Sequence, residues 1–174
     1  CMDSGKTAAA CAIISRLRHL GYNVAAFKST GVALRRDILA MEDAGAYETA
    51  VFSDYGVVAT TNENAPLVTK TMLNQLVLST YSPALEPDVV VFELGDGILG
   101  SYGVEAILKD KDICQALNCL VLCANDPVGA TGGVDLLKTE FGLDTHLLTG
   151  PATDNAVGRD IIKQRKNVEA INAI

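Results

Sequence analysis

The sequence opens with CMDSGKT, residues Cys1–Thr7, which ends in the triplet Gly5-Lys6-Thr7. This triplet closes the pattern G-x-x-x-x-G-K-S/T, a glycine-rich loop whose backbone cradles phosphate groups at the start of a helix. In that pattern the first glycine would stand directly before Cys1. We therefore expect the first loop glycine, and the strand that precedes such a loop, to lie ahead of Cys1 in a longer protein.

The residue types of this loop suit an anion. Phosphate needs several N–H donors in one small concavity, and a helix N-terminus supplies them together with a favourable dipole. Gly5 permits a backbone conformation that other residues resist. Lys6 brings a cation to the outer phosphates, and Thr7 offers a hydroxyl to Mg²⁺. The alternative is a chance Gly-Lys-Thr before an ordinary amphipathic helix.

Length and composition are typical of one globular, acidic domain. The chain has 174 residues, 49% of them hydrophobic and 20% charged, with a formal net charge of -7. These values predict a single domain over residues 1–174, and the incomplete loop motif predicts that this domain is truncated at its N-terminus. An acidic chain of this kind is a poor nucleic-acid binder, so we expect no nucleic-acid partner.

The apolar runs and the cysteines indicate in which compartment of the cell the protein is expected. No apolar run approaches the about 20 residues that cross a membrane, so we expect no membrane partner. The five cysteines are an odd number in no metal-ligand spacing, which favours a reducing cytoplasm over a disulfide framework. A homodimer and an additional N-terminal domain both remain open at this point.

Short apolar runs alternate with helical periodicity along the chain. Continuous apolar stretches predict four buried strands, at 23–28, 88–94, 119–124 and 145–149. Helical spacing predicts helices at 5–20, 36–44, 65–82, 103–117, 129–141 and 154–173. The segment 47–64 fits neither pattern. This alternation predicts an α/β fold with three layers, a mostly parallel sheet covered by helices on both faces.

Polar residues follow each predicted strand. In parallel sheets, ligands bind beyond the carboxyl ends of the strands, and these positions hold the residues Lys28, Glu93, Asp96, Asn125, Asp126, Thr153 and Asp154. Mg²⁺ prefers oxygen ligands, so we predict a metal site formed by Thr7, Glu93 and Asp96. The alternative is that Asp96 caps a turn and that Glu93 pairs with a neighbouring lysine.

Lys28 adds a second cation beside the loop. Charge neutralisation and positioning account for most of the catalysis in phosphoryl transfer, so we predict catalytic roles for Lys6, Lys28 and Glu93. The alternative for Lys28 is a rim lysine that extends its ammonium into solvent. Asp37 and Asp54 lie in the two following connections, where either could orient a nucleophile or serve as an ordinary turn carboxylate.

Two later segments are candidates for contact with a nucleotide base. The Asn125 amide offers both a donor and an acceptor, and the segment TGPATDN, residues 149–155, follows the last predicted strand. The alternative is that Thr153 or Asp154 caps the last helix. The complete set of predicted nucleotide-binding residues is Asp3, Ser4, Gly5, Lys6, Thr7, Ala8, Asn125, Pro151 and Thr153.

With these residues placed, the chain resembles P-loop NTPases of the dethiobiotin-synthetase-like kind. Lys28-Ser29-Thr30-Gly31 matches in outline that family's lysine and following turn, and Glu93-Leu94-Gly95-Asp96-Gly97 matches its strand ending in a glutamate and glycines. The loop, ELGDGILG and TGPATDN also resemble a family of bacterial and archaeal P-loop proteins known mainly as a domain of unknown function. Some relatives of that family are linked to N-acyl transfer onto amino acids.

The resemblance implies ATP and Mg²⁺ as cofactors, with Lys6, Thr7 and a strand-end acid at the phosphates. It implies Mg²⁺-dependent hydrolysis of ATP or phosphoryl transfer to an unidentified small molecule. The alternatives are a nucleotide-responsive regulatory module and an acyltransferase that uses a phosphate-bearing cofactor such as coenzyme A. Residues 32–46 are not clearly the substrate-binding stretch of dethiobiotin-like enzymes, so neither a carboxylation nor a diaminononanoate substrate is expected.

Overall fold

The computed structural model describes residues 3–78 and 86–173. Within these ranges the chain is an α/β protein with two three-stranded sheets, each of them parallel, packed among α-helices. None of the described helices has the length and apolar character that a membrane span requires.

The first sheet places two predicted site residues side by side. Its strands are β1 (Val24–Lys28), β2 (Glu48–Val51) and β3 (Val89–Glu93), in the order β2-β1-β3. The register of β1 against β3 pairs Lys28 with Glu93. Because both residues end their strands, their side chains begin at the same carboxyl edge of the sheet.

Helices cover both faces of this first sheet. They are α1 (Lys6–His19), α2 (Arg35–Asp43) and α3 (Ala65–Val77). Successive side chains of β1 point to opposite faces, so Val24 and Ala26 pack in a cluster with residues of α1 and α2. Ala25 and Phe27 pack in another cluster with residues of α3 and one residue of α2.

The second sheet is built from consecutive strands. They are β4 (Val121–Cys123), β5 (Leu147–Thr149) and β6 (Glu169–Ala170), in that spatial order. The helices of this part of the chain are α4 (Val104–Lys109), α5 (Lys111–Ala116), α6 (Pro127–Phe141) and α7 (Ala156–Lys166). One apolar cluster joins β4 and β5 to α4, α6 and α7.

The α/β class with parallel strands is confirmed, and the structure differs from the sequence prediction in detail. One mostly parallel sheet was expected, and the described residues form two three-stranded parallel sheets. The segment 47–64, which fits neither pattern, contains β2, a strand too short to show alternation. The predicted helix 103–117 is two helices, because the Asp110 carboxylate accepts hydrogen bonds from the N–H groups of Asp112 and Ile113 and begins α5 there. A helix was predicted over 154–173, but α7 ends at Lys166 and β6 follows it.

Gly150 links the second sheet to the opening loop. It follows β5 with a φ of +90°, and a Cβ at this position would lie 2.5 Å from the Ser4 carbonyl oxygen and 2.8 Å from that of Ala124. Only glycine combines this conformation with such a close approach. The carboxyl end of β5 therefore supports the backbone of the loop directly.

Replacing Gly150 by alanine should destabilise the protein, whereas the same change at Gly132 should not. A strained positive φ costs about 1–3 kcal/mol, and the Ser4 and Ala124 carbonyls leave no room for a methyl group. Gly132 lies inside α6 with nothing within 4 Å of its added Cβ, so alanine there should stabilise by about 0.5–1 kcal/mol. Urea unfolding measures both changes; equal effects of the two variants would contradict this account of Gly150.

Candidate functional site

Two residues of the opening loop lie in the left-handed region of backbone conformation. Asp3 has a φ of +48° and Gly5 a φ of +76°, both in the left-handed region, and Gly5 stands directly before the first residue of α1. Alternation of left-handed and right-handed residues turns successive N–H groups toward one side. The first N–H groups of α1 add to them, because a helix leaves its first four without intrahelical acceptors.

A cavity of about 450 Å³ opens at this loop. Its volume falls within the range of small-molecule sites, about 300–1,000 Å³. The loop, the ends of β1 and β3, and the start of α2 supply its walls: Asp3, Ser4, Gly5, Lys6, Thr7, Ala8, Lys28, Leu34, Arg36, Asp37, Glu93, Gly95 and Asp96. The structure thus brings all six predicted loop residues together with Lys28, Glu93 and Asp96.

Thr7 and Glu93 form the polar floor of the cavity. The Thr7 Oγ1 donates a hydrogen bond of 2.9 Å to the Glu93 Oε2, and Glu93 is 7% exposed. Burial raises the pKa of the Glu93 carboxyl above its ordinary value, against the opposing effects of the Thr7 hydrogen bond and the Lys28 charge. A hydroxyl beside a buried carboxylate is an arrangement that could hold a divalent cation.

Lys6 contacts the backbone that follows β3. Its Nζ donates a 2.9 Å hydrogen bond to the Asp96 carbonyl oxygen. Asp96 has a φ of +72°, and its own carboxylate lies against Gly100, where an added Cβ would meet the Oδ2 at 2.0 Å. The hydrogen bond from Lys6 to the Asp96 carbonyl was not predicted from the sequence, and the role of Asp96 as a metal ligand stays a prediction.

Lys28 is buried and paired. Its side chain passes Gly31 and Gly95, where an added Cβ would lie 3.6 and 3.1 Å from the Lys28 Cε, and its ammonium forms a salt bridge with Asp37 of α2. The side chains of Lys28 and Asp37 are 9% and 12% exposed. Lys28 is therefore not a rim lysine, and its charge is already matched by a carboxylate.

The wall formed by the start of α2 was largely missed by the sequence analysis. Leu34 and Arg36 line the cavity beside Asp37, and the Arg36 Nε lies 3.7 Å from the Asp37 Oδ1. An acidic residue in the first turn of a helix that follows the lysine-ended strand was the available signal. Asp54, the other candidate carboxylate, instead accepts a hydrogen bond from the Val51 N–H in a local turn.

Three predicted nucleotide contacts lie outside the cavity lining, namely Asn125, Pro151 and Thr153. Thr153 is fully buried, and its hydroxyl donates to the Gly150 carbonyl oxygen at 2.8 Å. Pro151 is exposed in the 3₁₀ turn Pro151–Thr153. Asn125 is exposed beside Asp126, whose carboxylate caps α6 through the Val128 and Gly129 N–H groups. The hydroxyl of Thr153 therefore holds the turn after β5.

Comparison with protein-family models and with curated proteins finds no match to this chain. The fold and the cavity define an α/β protein with a polar cavity at the head of α1, lined by the opening loop, two lysines and two buried carboxylates.

The pH dependence of the free energy of unfolding should reveal the raised pKa of the buried Glu93 carboxyl. Because its pKa is raised from the ordinary 4.5, the folded state binds the proton more tightly than the unfolded state. Stability then falls as the pH rises from about 4.5 through the folded pKa. Glu93→Gln cannot ionise, so its stability relative to the wild type should increase across this pH range.

Urea unfolding between about pH 4 and pH 8 measures this difference. The matched control is Glu140→Gln, since Glu140 is an exposed glutamate on α6. Parallel stability curves for the Glu93→Gln variant and the wild type would show that Glu93 keeps an ordinary pKa in the folded protein.

Proposed function

We propose that the cavity at the head of α1 binds a nucleoside triphosphate, ATP, together with Mg²⁺, and that the protein hydrolyses it or transfers its phosphoryl group to a small molecule. The fold proposed with this function is the three-layer P-loop NTPase fold. The observation that carries the proposal is the contact of Thr7 with Glu93 beside Lys6, at a loop with left-handed Asp3 and Gly5.

The loop suits the phosphate chain of a nucleotide. Residues 3–8 line one side of the cavity, and their N–H groups lie at the positive end of the α1 dipole, where anions are favoured. The Lys6 ammonium now donates to the Asp96 carbonyl. A phosphate oxygen is a stronger acceptor for a lysine than a neutral carbonyl, so Lys6 would exchange that contact for the nucleotide.

Thr7 and Glu93 would hold Mg²⁺. The described residues contain no group of three His, Cys, Asp or Glu side chains able to hold a metal ion by themselves. The ion would therefore depend on the Thr7 hydroxyl, the Glu93 carboxylate, waters and phosphate oxygens, as Mg²⁺ commonly does. When bound, Mg²⁺ neutralises the charge that develops on the transferred phosphoryl group.

The opposite wall would receive the second reactant. Lys28 and Asp37 line the same cavity as the loop, and Arg36, which also lines it, has a side chain that is 81% exposed. Lys28 would stabilise the developing negative charge, a role that depends on its distance from the outermost phosphate. The acceptor, whether water or a small molecule, would enter from the side of Leu34 and Arg36.

Nucleotide binding should depend on Lys6. A hydrogen bond to a charged group is worth about 1.5–3 kcal/mol, so Lys6→Ala should weaken ATP binding by about tenfold to a hundredfold. Isothermal titration calorimetry with ATP and Mg²⁺ measures this, and Lys163→Ala, which removes an exposed lysine of α7, is the matched control. Equal affinity of the Lys6→Ala variant and the wild type would remove Lys6 from the assigned role.

The same calorimetry distinguishes the enzyme from the two alternative functions that the sequence left open. ATP, GTP and acetyl-coenzyme A are titrated with and without Mg²⁺, and ATP turnover is followed by phosphate release. Turnover that requires Mg²⁺ supports the enzyme. Tight ATP binding with negligible turnover favours a regulatory module, and binding of acetyl-coenzyme A but not of ATP would replace the proposal with an acyltransferase.

A further inference from the structure

We propose that Asp37 is a positioning residue that restrains the Lys28 ammonium and thereby sets how strongly the cavity distinguishes ATP from ADP. The inference rests on the proposed nucleotide function and assigns to α2 a part in it. Its basis is the salt bridge between Lys28, at the end of β1, and Asp37, in the first turn of α2.

The path of the Lys28 side chain is narrow. A Cβ on Gly95 would lie 3.1 Å from the Lys28 Cε and 2.3 Å from the Thr30 carbonyl oxygen, and a Cβ on Gly31 would lie 3.6 Å from that Cε. These glycines leave room for the side chain along this route. Since the stem is confined and the ammonium pairs with Asp37, the position of the charge depends on that carboxylate.

The charges of this pair reach the proposed metal site. Glu93, which accepts the Thr7 hydroxyl, interacts electrostatically with Lys28, Asp37 and Lys6. Lys28 and Asp37 line the same cavity as the loop. Because Lys28, Asp37 and Glu93 are buried, their charges interact more strongly than charges at the surface would.

An outer phosphate and Asp37 would therefore compete for one ammonium. The third phosphate of ATP gains less from Lys28 while Asp37 holds it, whereas the two phosphates of ADP are served by the loop and Lys6. Removing the Asp37 charge would release Lys28 to the third phosphate. The affinity for ATP should then rise while the affinity for ADP stays close to that of the wild type.

The test is calorimetric titration of the wild type and of Asp37→Asn with Mg²⁺-ATP and Mg²⁺-ADP. We expect the ratio of ADP to ATP dissociation constants to increase on the order of tenfold, which is the size of a typical coupling free energy between two interacting sites. Asp144→Asn is the matched control: it removes one carboxylate from the exposed pair with Lys138, 2.7 Å apart, and the ratio should not change. An unchanged ratio in Asp37→Asn overturns the inference.

A second pair of variants tests whether Asp37 acts on nucleotide selectivity through Lys28. This pair also replaces the first test if Asp37→Asn does not fold, since breaking a buried ion pair is costly. Lys28→Gln is compared with the double variant Lys28→Gln, Asp37→Asn. Asp37 acts through Lys28, so the two should show the same ratio of ADP to ATP dissociation constants. A further change in the double variant would mean that Asp37 acts on the nucleotide by another route, which overturns the positioning role.

The outcomes separate this inference from the function on which it rests. Failure of the wild type to bind either nucleotide defeats the proposed function. Binding of both nucleotides with a ratio that Asp37→Asn leaves unchanged defeats only the role of Asp37.

Discussion

The backbone conformation of residues 3–5 is the constraint on which the rest of the site depends. Gly5 is left-handed immediately before the helical residues of α1, and such a pair of conformations turns successive amides toward one side of the chain. Gly5 adopts that conformation at little cost, whereas Asp3, as a side-chain-bearing residue, adopts it less readily. The close approach of Gly150 to the Ser4 carbonyl supports the loop from the side of the second sheet.

Charge balance is the second organising feature. Lys6, Lys28, Asp37 and Glu93 all line one cavity, and Lys28, Asp37 and Glu93 are buried residues. Burying charge is tolerated when each charge has a partner, and here Lys28 has Asp37 and Glu93 has the Thr7 hydroxyl. An incoming anion would disturb this balance, so its binding energy would include the cost of rearranging existing contacts.

Much of the local structure could be predicted because its causes are local. The helix that follows Gly5-Lys6-Thr7 and the strand that ends in Glu93 lie within one or two residues of their predicted bounds. The strand β2 and the pairing of Lys28 with Asp37 could not be predicted, because they depend on which segments the fold brings side by side. Thr153 shows the opposite problem: its position after a strand suggested a ligand contact, but its hydroxyl satisfies the backbone of its own turn.

The loop also joins the two sheets. Thr7 contacts Glu93 at the end of β3, and Lys6 contacts the backbone of Asp96, which follows that strand. On the other side, the Ser4 carbonyl lies against Gly150, which follows β5. The two sheets are formed by separate stretches of the chain. The segments that connect β4 to β5 and β5 to β6 are each shorter than the segment between β1 and β3. An anion seated on residues 3–8 would bind the loop only in its folded arrangement, so it would raise the stability of the folded chain by mass action.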